Sequence, residues 1–175
     1  MNTHAALNLR DYIRDIKDFP KEGIVFKDIT PLLADGAAFR ASIAALAEQL
    51  PEEVEVIVGM ESRGFLFGAA LAAHAGLGFV PVRKPGKLPA DTHGIDYELE
   101  YGMDRLEIHR DALSHGHKVA IVDDLLATGG TARATVDLVR ALGAEVSICL
   151  FVIELDFLKG AERLHDTPVR SLIHY

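Results

Sequence analysis

Tryptophan is absent from these 175 residues, cysteine occurs once, and positive charge is scarce, with 18 Lys and Arg against 26 Asp and Glu for a formal net charge of −8. The lone cysteine, Cys149, lies inside the apolar run Val146–Ile153, so no intramolecular disulfide can form. A reducing compartment, the cytoplasm, is the expectation. The deficit of basic residues excludes general nucleic-acid binding, which needs a broad basic footprint. A small anionic ligand is still allowed, because Arg83, Lys84 and Lys87 are clustered, with Arg63 on a separate turn. Repeats at a fixed period and low-complexity tracts are missing. Met1–Asp11 holds one arginine and no apolar core run, so it does not read as a secretory signal. The longest apolar stretch, Phe65–Val82, contains His74 and glycines at 68, 76 and 78, and reads as a helix, a turn and a strand rather than a membrane span. His74, His109, His115 and His117 do not pair with Cys or carboxylates at metal-ligand spacings. Ser62 lacks a Gly-x-Ser-x-Gly frame, and Cys149 sits mid-strand, so neither reads as a nucleophile.

What is present is a soluble globular composition, nearly half hydrophobic and a quarter charged, in a length suited to one domain. Leu9, Ile13 and Ile16 recur at helical spacing and predict a helix from about Leu7 to Lys17. Phe19–Gly23 breaks it, and Ile24–Phe26 is a short extended piece. Asp35 can cap a helix that carries Phe39, Ile43, Leu46 and Leu50 on one face. Strands and helices then alternate: Val54–Val58 strand, Phe65–His74 helix, Phe79–Val82 strand, Val119–Val122 strand, Thr131–Leu142 helix, Val146–Val152 strand, Val169–His174 strand. Between them, residues 84–94 form a loop, followed by a half-buried strand through Ile95, Tyr97, Leu99 and Tyr101 and its continuation at Leu106 and Ile108. Strands apolar on both faces and separated by helices imply a covered parallel sheet. Ligands on such sheets bind at the carboxyl ends of the strands. The turns after Val58 and Val122 are therefore where chemistry is expected.

The most informative segment runs Val119-Ala-Ile-Val-Asp-Asp-Leu-Leu-Ala-Thr-Gly-Gly-Thr131. A buried strand ends in two adjacent carboxylates, passes through a small glycine-bearing loop and enters a helix. Glycines let backbone N–H groups approach a ligand, and the helix start adds positive potential, so the loop suits a phosphate monoester. Asp and Gly both suit a strand-to-helix turn, but adjacent carboxylates repel each other and are harder to explain on stability alone; vicinal hydroxyls, or a hydrated Mg²⁺ nearby, would satisfy them. A ribose 5-phosphate offers both halves. The segment is neither a Walker A loop nor a Gly-x-Gly-x-x-Gly turn.

Val122–Thr131 resembles the signature with which type I phosphoribosyltransferases bind phosphoribosyl diphosphate (PRPP), and its wording is closest to the adenine-specific members. Phe19–Pro31, Glu61–Gly68, Arg83–Pro89 and Tyr97–Gly102 agree with the same group in the same order, so the likeness runs from about Phe19 to the end of the sequence. The resemblance implies an α/β fold: a parallel twisted sheet flanked by helices in a single domain spanning 1–175, with a small N-terminal hood (1–34) and a flexible β-hairpin lid (84–101) whose strands would extend away from the core. It implies transfer of the phosphoribosyl group to adenine, Mg²⁺ carried in with PRPP and through water rather than by direct protein ligands, and a homodimer.

Residue by residue, the resemblance implies that Ala127, Thr128, Gly129, Gly130 and Thr131 hold the 5′-phosphate while Asp123 and Asp124 hold the ribose side. Glu61, Ser62 and Arg63, in a turn whose Glu61–Ser62 peptide would be cis, join Arg83, Lys84 and Lys87 in taking the pyrophosphate. Arg83 would do so across a dimer interface. Phe26 taken alone reads as core; in the family it matches the residue that stacks on the base, with Val25, Lys27 and Leu125 beside it. Glu100 and Tyr101 match the lid dipeptide, the glutamate moving a proton at the base, although Glu100 also fits the solvent face of an alternating strand. A sister enzyme for xanthine, guanine or orotate is the nearest alternative, and the N-terminal hood argues against it. A non-enzymatic PRPP-binding regulator of nucleic acid is the other, and the charge of −8 argues against that.

Overall fold

A computed structural model describes residues 7–99 and 102–175. Five parallel strands make the central sheet: β3 (Val56–Met60), β4 (Gly78–Val82), β7 (Lys118–Leu126), β8 (Glu145–Glu154) and β9 (Val169–His174), in the order β4-β3-β7-β8-β9. Two short antiparallel pairs lie outside it. One is β1 (Arg14–Lys17) with β2 (Val25–Asp28), and the other is β5 (Thr92–Leu99) with β6 (Gly102–His109). Helices α1 (Thr30–Ala34), α2 (Gly36–Glu48), α3 (Gly64–Ala75) and α4 (Gly130–Ala141), with short 3₁₀ turns at Leu9–Tyr12, Asp156–Leu158 and Gly160–Leu164, complete the described elements.

The sheet is covered on both faces because its strands are apolar on both. On one side Ile43 and Leu46 of α2 and Phe67 and Leu71 of α3 pack on Ile57, Val122 and Leu150. On the other, Val136 and Val139 of α4, with Leu106 and Ile108 of β6, pack on Val58, Ile121 and Phe151. Full burial of each such side chain contributes about 1.5–3 kcal/mol, and truncating fully buried Phe67 to alanine costs about 3–5 kcal/mol. The chain leaves β3 for β4 on one side and β7 for β8 on the other, so the strand order reverses between β3 and β7. The turns after these two strands flank the crevice where such sheets take ligands.

The five sheet strands, α2, α3 and α4 fall where the hydropathy pattern put them, and Asp35 caps α2 by accepting from the N–H groups of Ala37 and Ala38. Four expectations need correction. No helix spans 7–17: a 3₁₀ turn at Leu9–Tyr12 gives way to β1, because its residues are complementary to β2 across the ladder. Arg14 faces Asp28, Asp15 faces Lys27 and Ile16 faces Phe26, which outweighs about two turns of helical spacing. Strand β3 starts at Val56 rather than Val54, since the Val54 N–H is spent on the Pro51 carbonyl. Strand β7 does not stop at Val122: its ladder with β8 continues past Asp123, opposite Phe151, to Leu126. Finally, the lid hairpin does not extend away from the core. Ile95 and Tyr97 pack against it, and Arg83 bridges to Glu107 of β6. Phe65–Val82 resolves into α3, a left-handed turn at Gly76 and β4, and no described helix is long and apolar enough to cross a membrane.

Candidate active site

Because β7 runs on past Val122, it carries both aspartates into the crevice as part of a hydrogen-bonded strand rather than on a loop. Asp123 lines a cleft of about 90 Å³ with residues 125–132 and Phe151. Its Oδ1 accepts from the Asp124 N–H at 2.8 Å and sits where a Cβ on Gly64, at the start of α3, would come within 2.7 Å. Asp124 is 4% exposed and turned toward Arg63, whose Nε is 2.9 Å from its Oδ2. That approach lies off the N–H direction: it supplies charge but no hydrogen bond, and Asp124 Oδ2 is the one buried side-chain oxygen without a hydrogen bond among the described residues. Burial, then the neighbouring Asp124 charge, holds the Asp123 carboxyl well above the usual carboxylate range. Burial also raises Asp124, against the pull of Arg63. The crevice thus holds two adjacent acids, one with an unbonded buried oxygen, that sugar hydroxyls or hydrated cations would complete.

The wall beside them is Ala127–Gly129 and the first turn of α4. Gly129 takes φ +81° and the helix start has no side-chain cap, so the first N–H groups of α4 are available to an anion. Gly160, outside every motif in the sequence, supports this loop from behind. A Cβ on Gly160 would overlap the Ala127 carbonyl oxygen, and one on Gly129 would overlap that of Gly160. Only the Lys159-Gly160 turn signal could have flagged it, and that signal says nothing about what it packs against.

On the other side of the crevice, the Glu61–Ser62 peptide is cis, as the resemblance implied. Glu61 does not face the crevice as a free carboxylate: it accepts from Arg83 Nε and Nη2 at 3.3 Å each and from the Lys84 N–H at 2.8 Å. Burial pushes its carboxyl up, yet these donors win and hold it below its ordinary value. Lys84 Nζ pairs with Asp104, which also accepts from Tyr97 Oη at 3.1 Å, and Tyr97 Oη receives the Thr131 hydroxyl at 3.4 Å. Two of the three clustered cations are therefore closed onto carboxylates, while Lys87 is exposed. Asp104, which is linked to the start of α4 through Tyr97, carried no motif signal of its own. Glu100 and Tyr101 lie outside the described residues.

The hood meets this crevice through Arg63. Its guanidinium carbon is 5.0 Å from the centroid of the Phe26 ring, while its Nε reaches Asp124. Phe26 is only half-buried; Phe19 meets it edge-on at 5.2 Å, and the two rings with Ile16 and Asp28 line an open cleft of about 200 Å³. The core assignment that Phe26 would receive from its residue type is thus wrong. Val25 is 45% exposed, Leu125 lines the cleft of the aspartates, and Lys27 is buried, its Nζ 2.7 Å from Asp15. Cys149 is buried and its thiol is pushed up to about 12 by desolvation, which leaves it inert. Glu154, Asp156 and His174 bring three potential ligand atoms within 4.8 Å of one another, but His174 Nδ1 pairs with Asp156 at 2.9 Å and Ser171 donates to Glu154 at 2.7 Å, a clasp between the ends of β8 and β9.

Residues 30–172 match the model of the phosphoribosyl transferase domain. The chain is 60% identical to the adenine phosphoribosyltransferase of Methylococcus capsulatus over 95% of its own length and 98% of that protein's, and 56% identical to that of a Synechococcus strain over 97% and 99%. Its fold superposes on the adenine phosphoribosyltransferase of Thermoanaerobacter pseudethanolicus with a TM-score of 0.93 at 55% identity, covering 95% and 98% of the two chains. The Saccharomyces cerevisiae enzyme, solved with an imino-altritol bisphosphate and adenine, gives 0.89 at 47% identity over 94% and 96%. Relatives of this identity and coverage, together with the crevice geometry, place the chain in the adenine phosphoribosyltransferases, the pentosyl-transferring enzymes of purine salvage that carry the phosphoribosyl transferase domain.

Proposed function

We propose that the crevice divides the work of this adenine phosphoribosyltransferase between its two walls, the β7–α4 wall holding the phosphoribosyl half and the hood holding the base. In the reaction N9 of adenine bonds to the anomeric carbon of PRPP, the bond from that carbon to the diphosphate oxygen breaks, and the base gives up one proton. AMP and pyrophosphate leave. The observation that carries the division is the position of Arg63, between Phe26 on one side and Asp124 on the other.

Thr128–Thr131, with the uncapped N–H groups of α4, take the 5′-phosphate. Asp123 and Asp124 take the ribose hydroxyls and the water shell of the Mg²⁺ that arrives with PRPP. The unbonded, buried Asp124 oxygen suits that role. The ion neutralises diphosphate charge. As the carbon–oxygen bond lengthens, positive charge grows on the ring, and Asp124 is placed to stabilise it. Arg63, Lys84 and Lys87 receive the departing pyrophosphate, with Asp104 releasing Lys84 as the anion arrives, and Arg83 does the same for the neighbouring subunit. Phe26 stacks on adenine; the backbone of Val25 and Lys27 reads its edge, with Leu125 beside it. Glu100 moves the proton at the base, and Tyr101 closes with it, keeping water from an oxocarbenium-like ring.

This reading takes residues 1–175 as one domain, with 1–34 as hood and 84–101 as lid. It is a cytoplasmic homodimer in which Arg83 serves the neighbouring site, and it binds neither nucleic acid nor membrane. AMP formation from adenine and Mg-PRPP is the test, run with Glu100→Ala. Turnover should fall by about 10²–10⁴-fold with PRPP binding near normal; unchanged turnover removes Glu100 from the chemistry, and equal use of guanine or hypoxanthine removes the hood from base selection.

A further inference from the structure

The β1–β2 ladder is anchored at its flanks, where Leu9, Tyr12 and Ile13 before it and Ile29 and Leu32 after it pack in the core, and Tyr175 meets the ladder itself. β1 and β2 form a separate two-stranded ladder, so no sheet hydrogen bonds tie them to the five-stranded sheet. Tyr175, following β9, is locked to the sheet through its backbone: its N–H donates to the Glu154 carbonyl at 3.0 Å, and its carbonyl accepts from Asp156 N–H at 2.9 Å. Two cations meet its ring. Lys27 Nζ of β2 lies 3.7 Å from the ring centroid, and Arg10 Cζ, in the turn before β1, lies 4.3 Å from it. Arg10 also donates to the carbonyl of His174, whose ring is clasped by Asp156. Lys27 is only 9% exposed, so its charge has lost most of its water and depends on Asp15 and the aromatic face.

From this we infer that Tyr175 is a positioning residue for the base. Its ring fixes Lys27, and through Lys27 the strand Val25–Asp28 that carries Phe26. The inference rests on the reading that this strand binds adenine. Among the described residues Tyr175 lines neither cleft of the crevice and does not meet the Phe26 ring, so its effect must pass through the hood and fall on one substrate. A residue that merely stabilised the fold would weaken both substrates or neither.

The experiment is steady-state kinetics of AMP formation with Tyr175→Leu, Tyr175→Phe, Lys27→Met and Phe26→Ala, with KM measured separately for adenine and for Mg-PRPP. Tyr175→Leu removes the aromatic face, and KM for adenine should rise about five- to tenfold, in line with one or two partly desolvated cation–π contacts. KM for PRPP should stay within about twofold, a change too small to represent a lost contact. Tyr175→Phe keeps the face and should restore wild-type KM for adenine. Lys27→Met should reproduce the Tyr175→Leu effect, and it serves as the second route should that variant fold poorly. An equal rise in both KM values, no rise in either, or a Tyr175→Phe variant as impaired as Tyr175→Leu would overturn the inference. Phe26→Ala separates the two levels: an unchanged KM for adenine there sinks the hood reading itself, whereas a raised one beside a silent Tyr175→Leu sinks only the role of Tyr175.

Discussion

The two walls of the crevice are built in opposite ways. The β7–α4 wall grows out of the core: its aspartates sit in a nine-residue strand flanked by β3 and β8, and its loop is pressed against Gly160. The base side is a four-residue ladder with Phe19 and Val25 exposed; its own strands stay out of the core, and it is anchored by the segments that flank it, through Leu9, Tyr12 and Ile13 before it and Ile29 and Leu32 after it. Charge on a phosphoribosyl group must be met by groups that do not reorganise, and burial in a packed strand supplies that rigidity. A flat base needs only a ring face and a few backbone groups, which a thin ladder at the edge of the core can offer.

The sharpest break between the walls should come from Asp124→Asn. It removes the negative charge opposite Arg63 and should lower kcat by about 10²–10³-fold, the scale for losing one preorganised electrostatic contact. Steady-state AMP formation reads it; a loss under about tenfold would mean that Asp124 is not used in the transition state. On the hood, Phe26→Ala should raise KM for adenine by about ten- to a hundredfold, the range of base–aromatic stacking. Gly160→Ala asks whether the buried wall depends on its packing. Its Cβ has no room beside Ala127, so the loop must shift, and about 1–3 kcal/mol of stability should go with a raised KM for PRPP, measured by denaturant unfolding and kinetics.

Smaller and opposite in sign is Asp123→Asn. A carboxyl whose folded pKa is raised binds more protons in the native state than in the unfolded one, so stability falls as pH rises from the unfolded value near 3.8 toward the raised folded one. Asparagine removes that penalty: the free enzyme should melt higher at neutral pH than the parent, with a flatter Tm–pH profile, while turnover falls. A lower Tm at every pH would contradict the assigned direction. Least of all, Tyr97→Phe should change KM for PRPP by about two- to threefold, since it removes only the long Thr131 bond and the bond to Asp104.

The same contrast governs how much was legible in the sequence. Asp123–Thr131 could be read from residue chemistry because its parts lie side by side in the chain, and the parallel sheet followed from doubly apolar strands. The hood could not. Ile16 at helical spacing from Ile13 suggested a helix, and only the reversed pairing of Arg14-Asp15-Ile16-Lys17 with Val25-Phe26-Lys27-Asp28 reveals a ladder. Phe26 looked like core because residue type carries no information on which side of a thin ladder faces solvent. Gly160, Asp104 and Tyr175 act on segments far away in the chain, and no local pattern marks them.

Calorimetric titration of Mg-PRPP into the Phe26→Ala variant tests the division of the crevice most directly. If the phosphoribosyl half belongs to the β7–α4 wall, Kd for PRPP will stay within about twofold of the parent although KM for adenine has risen. A tenfold or greater loss of PRPP affinity would show that the hood and the strand wall form one undivided site.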